Sequence, residues 1–365
     1  MRIIQVTPRY FPTMGGVEVV VQKISEMLAE KGNEVTVYCV DKRNGLAAVE
    51  NIRGVTVKRF TPLFSDPLYL PEPKFVASLH KEKADIIHVH NIHTFPPLIA
   101  ALSKNSGQKL VLQPHYHRYG QTPLRHSLFE LYKKGFYSSL FSRTHLIIAN
   151  SAYEKQTLSE DFPQAKNAVL LPEGIEVNDA KAIEHKPVEP KRILYVGVLK
   201  RYKNVHKILE GFARLIKTKQ NYHLVIVGYG PEYASLVNLA SALGIEKSVE
   251  WKFSLSREQL LGEYAKASVF VMLSPLESFS RVVYDALFIG VPVVVYNFGA
   301  LSHLVTEGYA EGVNSLNKEA IATALMKASK KTYRRISLDS NNFLDWETYL
   351  NKLVGIYHEL QAAYQ

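Results

Sequence analysis

The 365-residue chain has a single cysteine, Cys39, set in the apolar run 35–40. One thiol excludes an intramolecular disulfide, and its apolar setting reads as a core side chain suited to a reducing compartment. No apolar run approaches about 18 residues, so no membrane-spanning helix is expected. The opening residues 1–6 begin a short strand that breaks at Pro8, so no signal peptide is expected either. Also missing are an Asp-x-Asp pair to hold a catalytic divalent cation, a GxGxxG dinucleotide fingerprint, any established nucleic-acid motif, repeats and low-complexity tracts. A cytoplasmic α/β enzyme or binding protein is what these absences leave.

Apolar residues make up 47% of the chain, ample for two cores at this length. The net charge of +10 is uneven: residues 1–172 hold 21 basic against 14 acidic side chains, and the remainder 23 against 20. A basic first half favours an anionic partner such as phosphate or a membrane surface. Nucleic acid is not expected.

Short apolar strands alternate with helical patterns. Strands are predicted at 2–7, 34–40, 55–60, 86–90, 109–113, 146–149 and 168–171, with helices at 17–31 and near 97–105. This repeated βαβ logic implies a parallel sheet covered on both faces. Residues 178–192 lapse into a charged stretch with two prolines, read as a linker. A second series follows: strands 192–197, 223–227 and 249–253, helices 205–217, 232–243 and 257–266, then strand, loop, helix and strand from 269 to 295. A last helix, 346–361, is too small for a third domain and is expected to pack back across the domain junction. The expected fold is α/β with two Rossmann-like domains and a cleft between them. The predicted boundaries are 1–175 and 192–345, a linker at 176–191, and a C-terminal segment 346–365 returning to the first domain.

Residues 277–292, ESFSRVVYDALFIGVP, place Glu277 in a loop and Asp285 eight residues on in an apolar helix closed by Gly290 and Pro292. Ligands sit at the carboxyl ends of strands in parallel α/β sheets, so a site is expected here. The turn 9–16, RYFPTMGG, carries Gly15 and Gly16 at a helix N-terminus, which suits phosphate or sugar as well as an ordinary turn. After Gly197, the turn VLKRYKN brings Lys200, Arg201 and Lys203 to a strand end, where three cations would neutralise a diphosphate. The turn 227–232, VGYGPE, repeats the glycine-rich junction. Eight of the 13 histidines lie in the first half, among them His88, His90, His93, His115 and His117 at strand ends. With no carboxylate or cysteine pair beside them, they read as cleft-facing polar side chains, not as a metal site. Residues 123–145 interleave Arg125, Lys133 and Lys134 with aromatic and leucine side chains. That suits either a membrane-surface contact or an amphipathic core helix.

Taken together, YVGVLKRYKNVHKILEGF, IVGYGP and SPLESFSRVVYDALFIGVPVVV resemble the retaining, nucleotide-sugar-dependent glycosyltransferases of family four (glycosyl transferases group 1), with the GT-B fold. The resemblance covers nearly the whole chain. It implies that Glu277 holds the transferred sugar, that Asp285 accepts hydrogen bonds from the nucleotide ribose, and that Lys203 binds the diphosphate. It further implies donor contacts from Gly15, Gly16, Gly197, Ser278, Phe279 and Ser280, with His115 lining the sugar pocket. Departures from the family pattern are Val198 for an arginine, Ser280 for a glycine, Asp285 for a glutamate, and Glu173 within Pro172-Glu173-Gly174. Arg201 and Arg281 are the substitute phosphate contacts.

The expected activity is therefore hexosyl transfer from a nucleoside-diphosphate sugar with retention of configuration, without a metal or other cofactor. Catalysis would rest on Glu277, Lys203 and His115. The acceptor would be a sugar, a sugar phosphate or a lipid-linked sugar. His117, Arg125, Lys133 and Lys134 would form an acceptor or membrane surface, at the inner membrane face. The competing expectations are another GT-B reaction, such as epimerisation or inverting transfer, and a catalytically weak nucleotide-sugar-binding protein.

Overall fold

The computed structural model describes residues 1–363 apart from Met14, Asn44, Gln121, Val177, Lys219, Gln220, Thr332, Arg334, Arg335 and 337–342. It divides into two compact units, Met1–Gly174 with Trp346–Gln365, and Ile175–Asp345.

In the first unit, β1 (Arg2–Thr7), β2 (Glu34–Cys39), β3 (Val49–Ile52), β4 (Val55–Arg59), β5 (Ile86–His90), β6 (Lys109–Gln113), β7 (Leu146–Ala149) and β8 (Val169–Leu170) form one sheet. Its order is β8-β7-β6-β5-β1-β2-β4-β3. Every neighbouring pair is parallel except β3 and β4. Central strands with both faces covered need near-continuous apolar runs. Accordingly, β1 is buried from Ile3 to Thr7 and β5 along its whole length. Helices α1 (Gly16–Glu30), α2 (Pro73–Lys81), α3 (Phe95–Ser103), α4 (Pro123–Phe141) and α5 (Ala152–Asp161) link these strands. The C-terminal helix Trp346–Ala362 belongs to this unit: Tyr357 Oη lies 2.7 Å from His88 Nδ1. A Cβ at Gly174 would come within 2.6 Å of the Trp346 ring, so only glycine allows that packing.

In the second unit, β9 (Lys191–Val196), β10 (Tyr222–Val227), β11 (Val249–Lys252), β12 (Val269–Met272), β13 (Val293–Tyr296) and β14 (Ala310–Val313) are all parallel, in the order β11-β10-β9-β12-β13-β14. Helices α6 (Asn178–Lys181), α7 (Val205–Ile216), α8 (Tyr233–Ala242), α9 (Arg257–Lys266), α10 (Arg281–Ile289), α11 (Ser302–Thr306) and α12 (Lys318–Ala328) accompany them. Both sheets thus have the doubly wound arrangement of a Rossmann-like domain.

The linker reading of residues 178–192 is corrected. This stretch contains α6, and Ala180 is buried. Its backbone then runs along the end of α9, with Lys186 N donating to Ala265 O at 2.9 Å and Val188 N to Lys266 O at 3.3 Å. Charge and proline mimic a tether here because the partners of this stretch are backbone carbonyls far away in sequence. Helices α2, α5 and α12, and strand β14, were not expected. Their apolar periodicity is short and interrupted.

Candidate active site

Strand order reverses between β9 and β12: the chain turns to β10 and β11 on one side, and to β13 and β14 on the other. The loops leaving these two central strands must therefore diverge, and the gap between them is where such sheets take ligands. Residues 197–204 and 273–280 are those loops. The first ends in a short 3-10 turn, Arg201–Lys203, and the second leads into α10.

Lys203 and Glu277 meet across this gap in a short ion pair, their side chains only 13% and 12% exposed. Burial alone would lower the lysine pKa, but the Glu277 carboxylate outweighs it, so the pKa is raised and the ammonium is held charged. Lys203 also lies 5.2 Å from the centre of the Tyr202 ring. Asn204, in the left-handed region at φ 57°, opens α7 and donates from Nδ2 to Leu273 O at 2.8 Å, tying the two loops together. Sequence reasoning missed Asn204, whose only local signal is its place immediately before a helix.

Beyond Glu277, Ser278 is half-buried, while Phe279 is buried and stacked on Tyr284 at 4.2 Å. That stack anchors the loop to the helix it precedes. Ser280 caps α10 at φ 87°, a conformation natural to glycine and strained for serine. Its hydroxyl is buried without a hydrogen-bond partner among the described residues. The sequence departure at Ser280 therefore falls on a backbone position that favours glycine. Gly290, at φ 92°, ends α10 as expected, with Val291 N returning to Ala286 O at 2.9 Å.

Asp285 is buried in α10, and both its carboxylate oxygens accept from Arg257: Nη1 to Oδ2 at 2.6 Å and Nη2 to Oδ1 at 2.9 Å. Arg257 Nε also donates to Asp179 Oδ2 at 3.0 Å. Burial raises the Asp285 pKa despite the opposing guanidinium. Neither Arg257 nor Asp179 was expected in the site. Ser256 and Gln259 do form a capping box that sequence can reveal, but the partner of the next residue cannot be read locally.

Gly197 sits where the first loop packs on the turn after β10. A Cβ at Gly230 would meet the backbone of Leu199, and Leu199 N donates to Tyr229 O at 3.1 Å. These glycines serve loop-on-loop packing. Arg201 is largely exposed and 3.9 Å from Glu232, while Arg281 begins α10. Val198 is 38% exposed.

In the first unit, Gly15 caps α1, and a Cβ there would strike the Glu18 carboxylate. Glu18 is itself buried and paired with Arg9 at 2.6 Å, so a carboxylate of the chain already lies against this turn. At Gly16 a Cβ would meet nothing. His115 is buried and left-handed at φ 48°. Its Nε2 lies 3.4 Å from His90 Nδ1, and its Nδ1 lies 3.2 Å from Asn150 Nδ2 and 3.5 Å from Glu173 Oε1. His90 Nε2 in turn meets Gln5 Oε1 at 2.7 Å. This is a buried polar network at the strand ends. His93 is stacked on His117 at 4.1 Å and accepts from His117 N at 3.3 Å.

On α4, Arg125 pairs with Asp66, and Lys133 lies 3.6 Å from Asp161 and 5.2 Å from the Phe162 ring centre. Lys134 is exposed, as are Leu124 and Leu131. Two of the three cations expected on an acceptor or membrane surface are thus engaged within the unit. Among the described residues, no three His, Cys, Asp or Glu side chains are grouped to hold a metal ion, and no helix is long and apolar enough to cross a membrane.

The chain is similar to known proteins in sequence and fold. The family model described as Glycosyltransferase Family 4 matches residues 14–179, and the one described as Glycosyl transferases group 1 matches residues 176–342. N-acetyl-alpha-D-glucosaminyl L-malate synthase of Bacillus anthracis is 25% identical over 313 residues, covering 82% of this chain and 80% of that protein. GDP-mannose:cellobiosyl-diphosphopolyprenol alpha-mannosyltransferase of Xanthomonas oryzae is 22% identical, covering 98% and 97%. Among solved structures, sucrose-phosphate synthase from Thermosynechococcus elongatus superposes with a TM-score of 0.75 at 20% identity, covering 99% of each chain. Anabaena Alr3699/HepE, solved in complex with UDP and glucose, does so with a TM-score of 0.73 at 17% identity, covering 98% of this chain and 99% of that one. The two matched models, taken with the two doubly wound units, make this chain a GT-B glycosyltransferase of the family 4, group 1 kind.

Proposed function

We propose that the chain transfers a hexose from a nucleoside-diphosphate sugar to an acceptor, with retention of anomeric configuration and without a metal. The Lys203–Glu277 pair, at the switch point of the second unit's sheet, carries this reading. In such a transfer the anomeric carbon becomes cation-like while the leaving diphosphate gains negative charge. Preorganised positive groups beside the leaving group lower that barrier most. Lys203 is such a group: buried and charged, and fixed before any ligand arrives. The N-terminus of α10 adds its partial positive charge. Arg201 and Arg281 are the further cations in reach of this end of the sheet.

Glu277 then exchanges its bond to Lys203 for sugar hydroxyls, and Asp285 accepts from the ribose. Both carboxylates belong to one loop–helix segment, so neither is assigned as a nucleophile flanking the bond, unlike the paired carboxylates of glycosidases. The departing phosphate takes the acceptor proton. The first unit carries the acceptor, with His115 as its sugar-facing residue. A sugar, a sugar phosphate and a lipid-linked sugar are the acceptor classes to try.

The direct test incubates the whole protein with UDP-, GDP- and ADP-hexoses and candidate acceptors, with and without EDTA, and assigns the product anomer by NMR. Retention with full activity in EDTA is expected. An inverted product, or activity that EDTA abolishes, would overturn the reading. Tight nucleotide binding with no transfer to any acceptor would leave a binding protein.

A further inference from the structure

Two charged residues beside Asp285, Arg257 and Asp179, have no part in the chemistry above. Arg257 begins α9, directly after the capping residue Ser256. Three of its five guanidinium N–H groups are committed, two to Asp285 and one to Asp179. Its side chain is 37% exposed while that of Asp285 is 8% exposed, so the guanidinium is the more accessible partner of the pair. Asp179 lies on α6, five residues beyond Gly174, where the first unit ends. Among the described residues its Oδ1 is buried without a partner, while its Oδ2 accepts from Arg257.

We propose that Arg257 is a positioning residue of the nucleotide subsite, holding Asp285 ionised and in a single orientation, and that Asp179 in turn fixes Arg257. The proposal rests on the reading of Asp285 as the ribose acceptor. A bidentate guanidinium grips both carboxylate oxygens along one plane yet leaves each oxygen a second lone pair for a hydroxyl. Aspartate is one methylene shorter than glutamate, and the long arginine side chain reaches what that shortening withdraws.

Without Arg257 the charge on Asp285 would have little support. The other charged or titratable groups facing it are Tyr264 on α9, Asp179 on α6 and Arg281 on its own helix. Tyr264 donates its hydroxyl to Val282 O at 2.9 Å, and Asp179 repels a second carboxylate. Arg281 alone is left to attract it. A carboxylate buried in this way takes up a proton instead of staying charged. A protonated acid cannot accept at both oxygens, so nucleotide affinity would then fall with acidity.

The test is calorimetric titration of the whole protein with UDP, GDP and ADP, from pH 5.5 to 8.5, in wild type, Arg257→Met, Arg257→Lys, Asp285→Asn and the Arg257→Met/Asp285→Asn double variant. Thermal midpoints serve as the check on folding. Arg257→Met should bind the preferred nucleotide about tenfold more weakly at pH 7.5, and progressively more weakly as pH falls, with the weakening setting in at a higher pH than in wild type. Arg257→Lys should recover part of the affinity at pH 7.5. Adding Arg257→Met to Asp285→Asn should change affinity less than about twofold, because the two residues act through one another. Wild-type affinity and a wild-type pH profile in Arg257→Met would overturn the proposal, as would a lowered thermal midpoint with no new pH dependence of binding. A wild type that binds none of the three nucleotides would instead overturn the donor-site reading, and this proposal with it.

Discussion

The two units place polar side chains at the carboxyl ends of their central strands, and both bury ion pairs, such as Arg59 with Asp41 in the first. The histidine cluster of the first unit is neutral, however, where the switch-point loops of the second are charged. In the first unit, Gln5, His88, His90, Gln113 and Asn150 are fully buried. Burial pushes the His88 pKa down to about 3, and that of His90 well below its ordinary value, so both rings are neutral. In the second unit Lys203 pairs with Glu277 between two strand-end loops, and Arg257 on α9 pairs with Asp285 on α10. A buried neutral network holds shape and orders hydrogen bonds. A nearly buried ion pair beside a strand-end gap can be opened by a ligand that offers better partners. On the proposed reading, a diphosphate belongs with the fixed cations of the second unit.

The largest expected effect breaks the charged side. Glu277→Gln should lower turnover on a nucleotide sugar by about 100-fold or more, since it removes both the sugar's acceptor and the partner of Lys203. A steady-state rate within threefold of wild type would contradict that role.

Acid should break the neutral side. A histidine whose folded pKa lies below its unfolded value of about 6.5 binds fewer protons when folded. Its contribution is therefore complete above that pH and is lost as pH falls toward the folded pKa. Two such rings cost together about 2.8 kcal/mol per pH unit once the unfolded chain is protonated. Glu154 works the other way. Burial raises its pKa to about 7, above the unfolded carboxyl value, so its penalty is relieved on acidification between these values. Burial also lowers the His93 pKa well below its ordinary value, so the balance is a loss of stability as pH falls from 6 to 4.5, read as a falling urea midpoint. A midpoint flat over that range would contradict the neutral network.

Two smaller changes sharpen the contrast. Val198→Arg, at a partly exposed position beside the diphosphate turn, should tighten nucleotide binding about three- to tenfold in a calorimetric titration. Ser280→Gly should raise stability by about 1 kcal/mol, because glycine adopts φ 87° without strain. Chemical denaturation would register that gain.

Much of this organisation is legible in the residues themselves. The alternation of short apolar runs and amphipathic stretches shows the two doubly wound sheets, and Gly290 marks the end of α10. The segment from Glu277 to Asp285 stands out because its polar residues fall where a strand gives way to a helix. Long-range electrostatics are not legible. That Asp285 is gripped by Arg257, 28 residues earlier, and that Glu18 fills the turn at Gly15, depend on packing that no local pattern encodes. The stretch 178–192 fails for the same reason, since its backbone partners lie on α9. On α4, interleaved basic and aromatic residues suit a surface contact or a core helix alike, and Lys133 is held by Asp161 and Phe162 within the unit. Charge count does not reveal which charges are already paired.

The most direct measurement is nucleoside-diphosphate release from a preferred nucleotide sugar and its acceptor, by wild type and by Lys203→Ala, at equal folded concentration. If Lys203 is the fixed cation of the leaving group, release by the variant should fall by about 100- to 1,000-fold with its fold intact. Release at the wild-type rate would contradict a donor site built on the Lys203–Glu277 pair.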